Sequence, residues 1–165
     1  MKWLLIITFT LISLSCSSNN LKSAERLLYD KVIIASKTND SNNLSDVDYD
    51  QISEYISQGK SRWIELYPIL NRSPFLGATS FQEGLNISMA YALPKNPLKI
   101  LKFVDKNNVG YICGAPFIEP TQDEVDDYFS QASMALKNLS PGGQWKNECI
   151  FNLNKSVANG ASVVQ

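Results

Sequence analysis

Residues 121–139, TQDEVDDYFSQASMALKNL, carry the pattern that decides the fold. Val125, Tyr128, Phe129, Ala132, Leu136 and Leu139 fall three or four residues apart, except for the adjacent pair Tyr128 and Phe129, which puts them along one side of a helix. Thr121 with Glu124 three residues on forms a capping box, each side chain satisfying a free backbone donor at the helix start. The turn signal Ser140-Pro141-Gly142-Gly143 closes the stretch.

Working outward, the same period governs most of the chain. Downstream, a helix is expected from about Gln144 to Lys155, with Trp145, Cys149 and Leu153 on one side and a frayed tail over residues 159–165. Upstream, the segment from Val109 to Pro120 holds two glycines and two prolines and reads as a loop, or at most one short strand. Before it, Asn96 is placed to cap a helix with Pro97 at its first position, where a missing amide costs nothing. Ser80 and Glu83 suggest another capping box, followed by the stripe Phe81, Leu85, Met89 and Leu93 and ended by Pro94.

Trp63, Ile64, Leu66, Tyr67 and Leu70 suggest a helix that Pro68 must kink or stop, since proline lacks the amide donor and clashes with the preceding turn. Ser45 and Asp48 give a further capping box for a helix with Val47, Ile52, Tyr55 and Ile56 inward and Gly59 ending it. A first amphipathic helix is expected from Leu21 to Lys37, using Leu21, Ala24, Leu27, Leu28, Val32, Ile34 and Ala35. Strand patterning is nearly absent. The expectation is an all-α, compact array of six or seven short helices in a single domain over residues 21–158, without internal repeats.

The chain opens MKWLLIITFTLISLSCSSNN. The apolar run from Trp3 to Leu14 is too short to cross a hydrocarbon core, which takes about 20 residues, but it suits the core of a signal peptide over residues 1–15. Ser13-Leu14-Ser15-Cys16 resembles the lipobox of bacterial lipoprotein precursors, with a small residue before the cysteine that is acylated and becomes the new N-terminus. That resemblance implies lipidation at Cys16 and palmitate among its acyl chains, with residues 16–20 as a polar tether. Several acyl chains hold a protein on a bilayer where one does not. Serine after the cysteine suggests the outer membrane, facing the periplasm. The alternative is an ordinary secretory signal cut at another bond. Either way the chain is expected outside the cytoplasm. The triplets beginning at Asn39, Asn43, Asn71, Asn86, Asn138 and Asn154 match the glycan acceptor pattern, as chance supplies in a chain rich in Asn and Ser.

Removing residues 1–15 leaves 150 of 165, enough for one domain with a real core. The net charge of −1 gives no electrostatic footprint for nucleic acid. With Cys16 acylated, Cys113 and Cys149 remain as a pair in an oxidising compartment, where a disulfide is expected; two free buried thiols are the alternative.

The chain contains no histidine, so Ser-His and Cys-His nucleophiles are absent. Carboxylates remain, and Glu65 and Glu83, both beside aromatic residues, are the candidates for a cell-wall glycosidase. Asp46-Val-Asp48-Tyr-Asp50 echoes the start of a calcium loop, but Gln51 and Ser57 stand where its glycine and bidentate glutamate belong. Neither a metal site nor a cofactor is expected. Asp123, Glu124, Asp126 and Asp127 form an acidic run beyond what capping needs, either a solvated face or a surface for a basic partner. Lys95, Lys99, Lys102 and Lys106, spaced by four, three and four, fall on one strip of the helix that begins at Pro97. The strip is a solvated edge, or it meets acidic lipid headgroups or an acidic partner.

ALPKNP (residues 92–97), YICGAPFIEPT (111–121) and KNEC (146–149) together resemble segments of small secreted proteobacterial helical proteins. In architecture the whole is similar to periplasmic immunity proteins that neutralise antibacterial effectors and to pilotins that chaperone secretion pores. The expected function is that of a membrane-anchored periplasmic lipoprotein acting as a protein-binding module for an envelope protein, as an immunity or inhibitor protein. The alternatives are a pilotin-like assembly factor and a carboxylate-dependent glycosidase.

Overall fold

The computed structural model describes residues 15–77, 79–117, 120–140 and 143–161. Among them are nine α-helices, a single 3-10 turn and no strand, the all-α architecture that the periodicity predicts. The helices are α1 (Ser15–Thr38), α2 (Asp46–Ser57), α3 (Ser61–Ile64), α4 (Tyr67–Leu70), α5 (Thr79–Ala92), α6 (Pro97–Ile100), α7 (Val109–Ile112), α8 (Gln122–Lys137) and α9 (Gly143–Ala161). None of the described helices is long and apolar enough to cross a membrane. The expected signal peptide lies outside the described residues except for Ser15.

The chain divides into two units, Met1–Leu44 and Ser45–Gln165. In the first, α1 begins at Ser15 rather than Leu21, so residues 16–20, read as a tether, carry helical backbone. Leu28, Val32 and Ala35 are buried, whereas Leu27 and Ile34, expected on the same stripe, are exposed. Asn39 ends the helix at φ 53°, and the amide of Asp40 returns to the carbonyl of Ala35. Asparagine tolerates this left-handed conformation better than other residues with a Cβ.

The second unit is built around α5, whose Phe81, Leu85, Met89, Ala90 and Ala92 are all buried, as is Leu93 just past its end. Helix α2 packs along it, with Ile52 and Ile56 buried and Tyr49 against Phe81 at 4.7 Å between ring centroids. The Ser45/Asp48 capping box is present. Val47, expected inward, is 75% exposed: it lies in the first turn, on the side away from Ile52 and Ile56. Gly59 at φ 78° closes α2, with the Gly59 amide on the carbonyl of Ile56 and the Lys60 amide on that of Tyr55. A Cβ there would also lie 2.9 Å from the Cβ of Lys95. Glycine is required twice over, by conformation and by space.

Pro68 acts as expected. It cannot donate an amide to the turn before it, so the helix over residues 61–70 breaks into α3 and α4, and Pro68 sits in the first turn of α4. All five apolar residues assigned to this stretch are buried. Elsewhere α5 starts at Thr79, which places Ser80 inside the first turn rather than at the cap. Asn96 makes no side-chain cap; its amide nitrogen donates instead to the Gly59 carbonyl and the Ser61 hydroxyl, both at 2.9 Å, joining α6 to the α2–α3 turn. The segment expected as loop or strand contains the helical turn α7.

Helices α8 and α9 pack on each other. The Thr121/Glu124 capping box is present, and Tyr128, Ala132 and Leu136 are buried. Helix α9 runs past both expected ends, from Gly143 to Ala161, with Cys149 and Leu153 buried; of the expected frayed tail, residues 162–165 lie outside the described residues. Cys113, at the end of α7, forms a disulfide with Cys149 of α9.

Candidate functional site

A cleft lies beside the Cys113–Cys149 disulfide. The bond holds α7 against α9 in a close approach, where a Cβ on Gly114 would meet the Gly110 carbonyl oxygen at 2.6 Å and the Ser156 hydroxyl at 3.2 Å. Residues of α5 and of the stretch 110–117, which pack on each other, line this open cleft of about 670 Å³ between them. Gln82, Glu83, Asn86 and Ile87 of α5 form one wall, Tyr111, Pro116 and Phe117 the other, and Ser156 of α9 one end.

The walls are held firmly. Phe117 lies between Tyr91 and Tyr128 in two edge-to-face contacts, with centroids 5.7 and 5.5 Å away, the arrangement that ring quadrupoles favour. Gln82 donates to the Leu70 carbonyl at 2.7 Å. Asn86 accepts the Tyr67 hydroxyl proton at 2.7 Å, and the Tyr67 oxygen accepts in turn from Asn108. Burial pushes the Tyr67 pKa up, against the lowering effect of the hydrogen bond from Asn108. The bond from Tyr67 also engages the side chain of Asn86, one of the asparagines in the glycan-acceptor triplets.

Two groups in the cleft face solvent. Tyr111 is 69% exposed, and Glu83 is exposed on the facing wall. An apolar ring on one side and a carboxylate on the other suit a protein segment that presents an apolar side chain next to a cation. Tyrosine is a frequent anchor of such contacts because it offers a large rigid surface with a polar tip.

The residues singled out by sequence fall at several places. Cys16 lies in the helical backbone of α1, and its side chain is outside the described residues. Asp123, Glu124, Asp126 and Asp127 are all exposed at the start of α8. Glu124 serves the cap, and the donors of Thr121 hold its carboxyl below the usual range; Asp126 accepts from Gln122 at 2.8 Å. Of the supposed calcium loop, the Asp48 carboxylate accepts the Ser45 amide and hydroxyl protons.

The lysine strip does not exist as one helix face. Helix α6 ends at Ile100, so Lys102 and Lys106 lie beyond it. The cause is local: Asn108 donates to the Phe103 carbonyl and accepts from the Asp105 amide, while Asp105 accepts from the Asn107 amide. Such side-chain bonds to backbone offer the chain an alternative to helix. Lys95 donates to the Ser57 carbonyl at the end of α2, and Lys99 is ion-paired with Glu65. Glu65 is accordingly held below the usual carboxylate range, first by the hydrogen bond and charge of Lys99, with Lys102 adding to it. A glycosidase acid needs its pKa raised, the opposite direction.

Tyr111 and its cleft were missed by sequence reasoning, because residues 109–117 have no apolar period to read. The available signal was an aromatic residue set between a glycine and a cysteine. No family model, curated protein or solved structure matches the chain.

Proposed function

We infer that the protein is a lipid-anchored envelope protein that works by holding a protein partner in the cleft beside the disulfide. The observation that carries this reading is Tyr111, largely exposed on a turn fixed by the Cys113–Cys149 bond, opposite the Glu83 carboxylate. A rigid wall and an exposed aromatic anchor are what an interface hot spot requires. The acylated cysteine supplies location, and the cleft supplies selectivity. A partner segment with an apolar residue followed by lysine or arginine fits it. The reading covers an inhibitor or immunity protein, and equally a pilotin-like assembly factor.

Two experiments test it together. Cys16→Ala should abolish incorporation of labelled palmitate and release the chain from the membrane fraction. In the chromosomal gene, Tyr111→Ala or Glu83→Lys should reproduce the phenotype of deleting the gene, and Met134→Ala, an exposed position on α8, should not. Hydrolysis of peptidoglycan by the purified chain, lost on Glu83→Gln with an unchanged melting curve, would replace this reading with an enzymatic one.

A further inference from the structure

A second depression, of about 330 Å³, lies where the end of α6 meets the α8–α9 connection. Its lining is mainly apolar, from Leu98, Leu101, Leu139 and Trp145, with Lys102 at the rim. Leu98 is 60% exposed, although a leucine on so short a helix could equally have faced the core. Leu101, Leu139 and Trp145 are half-buried. Around them stand Lys102 and Lys146, whose ammonium donates to the Leu139 carbonyl at 2.8 Å, while Lys99 beside Leu98 is taken up by Glu65. The acidic run lies at the other end of α8, roughly 20 Å away at 1.5 Å per residue. Lys102 and Lys146 thus give this apolar end positive charge, away from the acidic start of α8.

We propose that this end of the second unit, with exposed Leu98 and half-buried Trp145 beside Lys102 and Lys146, rests on an anionic phospholipid surface. An exposed leucine and a half-buried tryptophan beside lysines is the composition of an interfacial contact: the ring and alkyl group enter the headgroup boundary and the ammonium groups stay with the phosphates. Charge complementarity decides for a lipid over a neutral surface. Shape decides for a lipid over an acidic protein. The depression is small and offers few directional hydrogen-bonding groups, and a bilayer needs none, whereas a protein anchor needs a packed pocket. The inference adds an orientation to the envelope reading and rests on that reading only for the membrane being nearby. The Tyr111 cleft and this face can fail independently.

The test uses the full chain recovered from membranes and reconstituted into vesicles containing brominated phosphatidylcholine, with or without phosphatidylglycerol. Fluorescence of a Trp145→Phe chain is subtracted, so that the difference reports Trp145 alone. The expected result is quenching of Trp145 that is strong with phosphatidylglycerol and weak without it. Lys102→Glu, which turns one attraction into a repulsion, should lower the docked-to-undocked ratio by roughly tenfold or more. Leu98→Ser should also weaken docking, and both exposed substitutions should leave the melting curve unchanged. Equal quenching in the two vesicle types, or none in either, overturns the proposal. So does absence of quenching combined with binding of a polyglutamate peptide that Lys102→Glu abolishes, which would assign the face to an acidic protein.

Discussion

The hydroxyl of Tyr128 donates to the carbonyl oxygen of Ala90 at 2.9 Å, with the Gly114 carbonyl as a second acceptor at 3.3 Å. One buried side chain on α8 thus ties the core helix α5 to the turn that follows α7. Burial pushes the Tyr128 pKa well up, so the hydroxyl stays protonated and able to donate across the ordinary pH range. Tyr128→Phe keeps the ring contact with Phe117 and removes only this bond. Urea unfolding should show a loss of about 1 kcal/mol, because Ala90 keeps its bond from the Leu93 amide. An unchanged midpoint would mean that water replaces the hydroxyl.

The disulfide closes a sequence separation of 36 residues. On the chain-entropy account such a loop stabilises by about 3 to 4 kcal/mol. Protein taken without reductant should show no titratable thiol from Cys113 or Cys149. Cys113→Ser should lower the midpoint of unfolding and loosen the turn that carries Tyr111. Hydrogen exchange at residues 109–113 reads the second effect directly, and protection equal to wild type would separate the bond from the cleft.

The helix starts give a contrast between positions of one residue type. Ser45→Ala removes a side chain that accepts the Asp48 amide proton and should cost about 1 kcal/mol. Thr121→Ala should cost about as much on α8. Ser80, inside the first turn of α5, should tolerate alanine with a change of no more than about 0.5 kcal/mol. Chemical denaturation of the three variants checks the order, and a Ser80→Ala loss equal to the others would restore that residue as a cap.

These contrasts show what sequence made legible. The capping boxes at Ser45 and Thr121 and the break at Pro68 were readable because each depends on residues within a few positions. The all-α class followed from apolar period alone. Side chains that act across the chain were opaque. Asn96 looks like a cap, yet its amide reaches Gly59 and Ser61, more than thirty positions upstream. The lysine strip failed because Asn108 and Asp105 take the backbone out of helix just beyond Leu101, a competition that spacing cannot reveal. At the candidate site, the disulfide was legible because Cys113 and Cys149 were the two cysteines left once Cys16 was set aside. The cleft was not, since Glu83, Tyr111 and Phe117 come together through the packing of α7 on α5 and of Phe117 on Tyr91 and Tyr128, contacts between distant parts of the chain.

The Lys99–Glu65 pair gives a pH signature. The carboxyl is held low in the folded chain, so its small contribution is present above the unfolded pKa and is lost as pH falls through the folded value. Both groups are on the surface, and salt screens the pair. In an NMR titration the Glu65 carboxyl should titrate below the usual carboxylate range, and Lys99→Ala should move it up. The melting difference between wild type and Lys99→Ala should shrink as pH falls into the acid range. A Glu65 titration indifferent to Lys99 would show that the pair does not persist in solution.

The claim that the cleft holds a protein partner is tested most directly by placing a photoreactive residue at position 111, and separately at 83, in growing cells. Irradiation should give one discrete adduct of higher mass from both positions, absent when the same residue is placed at position 134 on the exposed side of α8. No adduct from either cleft position, or the same set of adducts from position 134, would contradict the account.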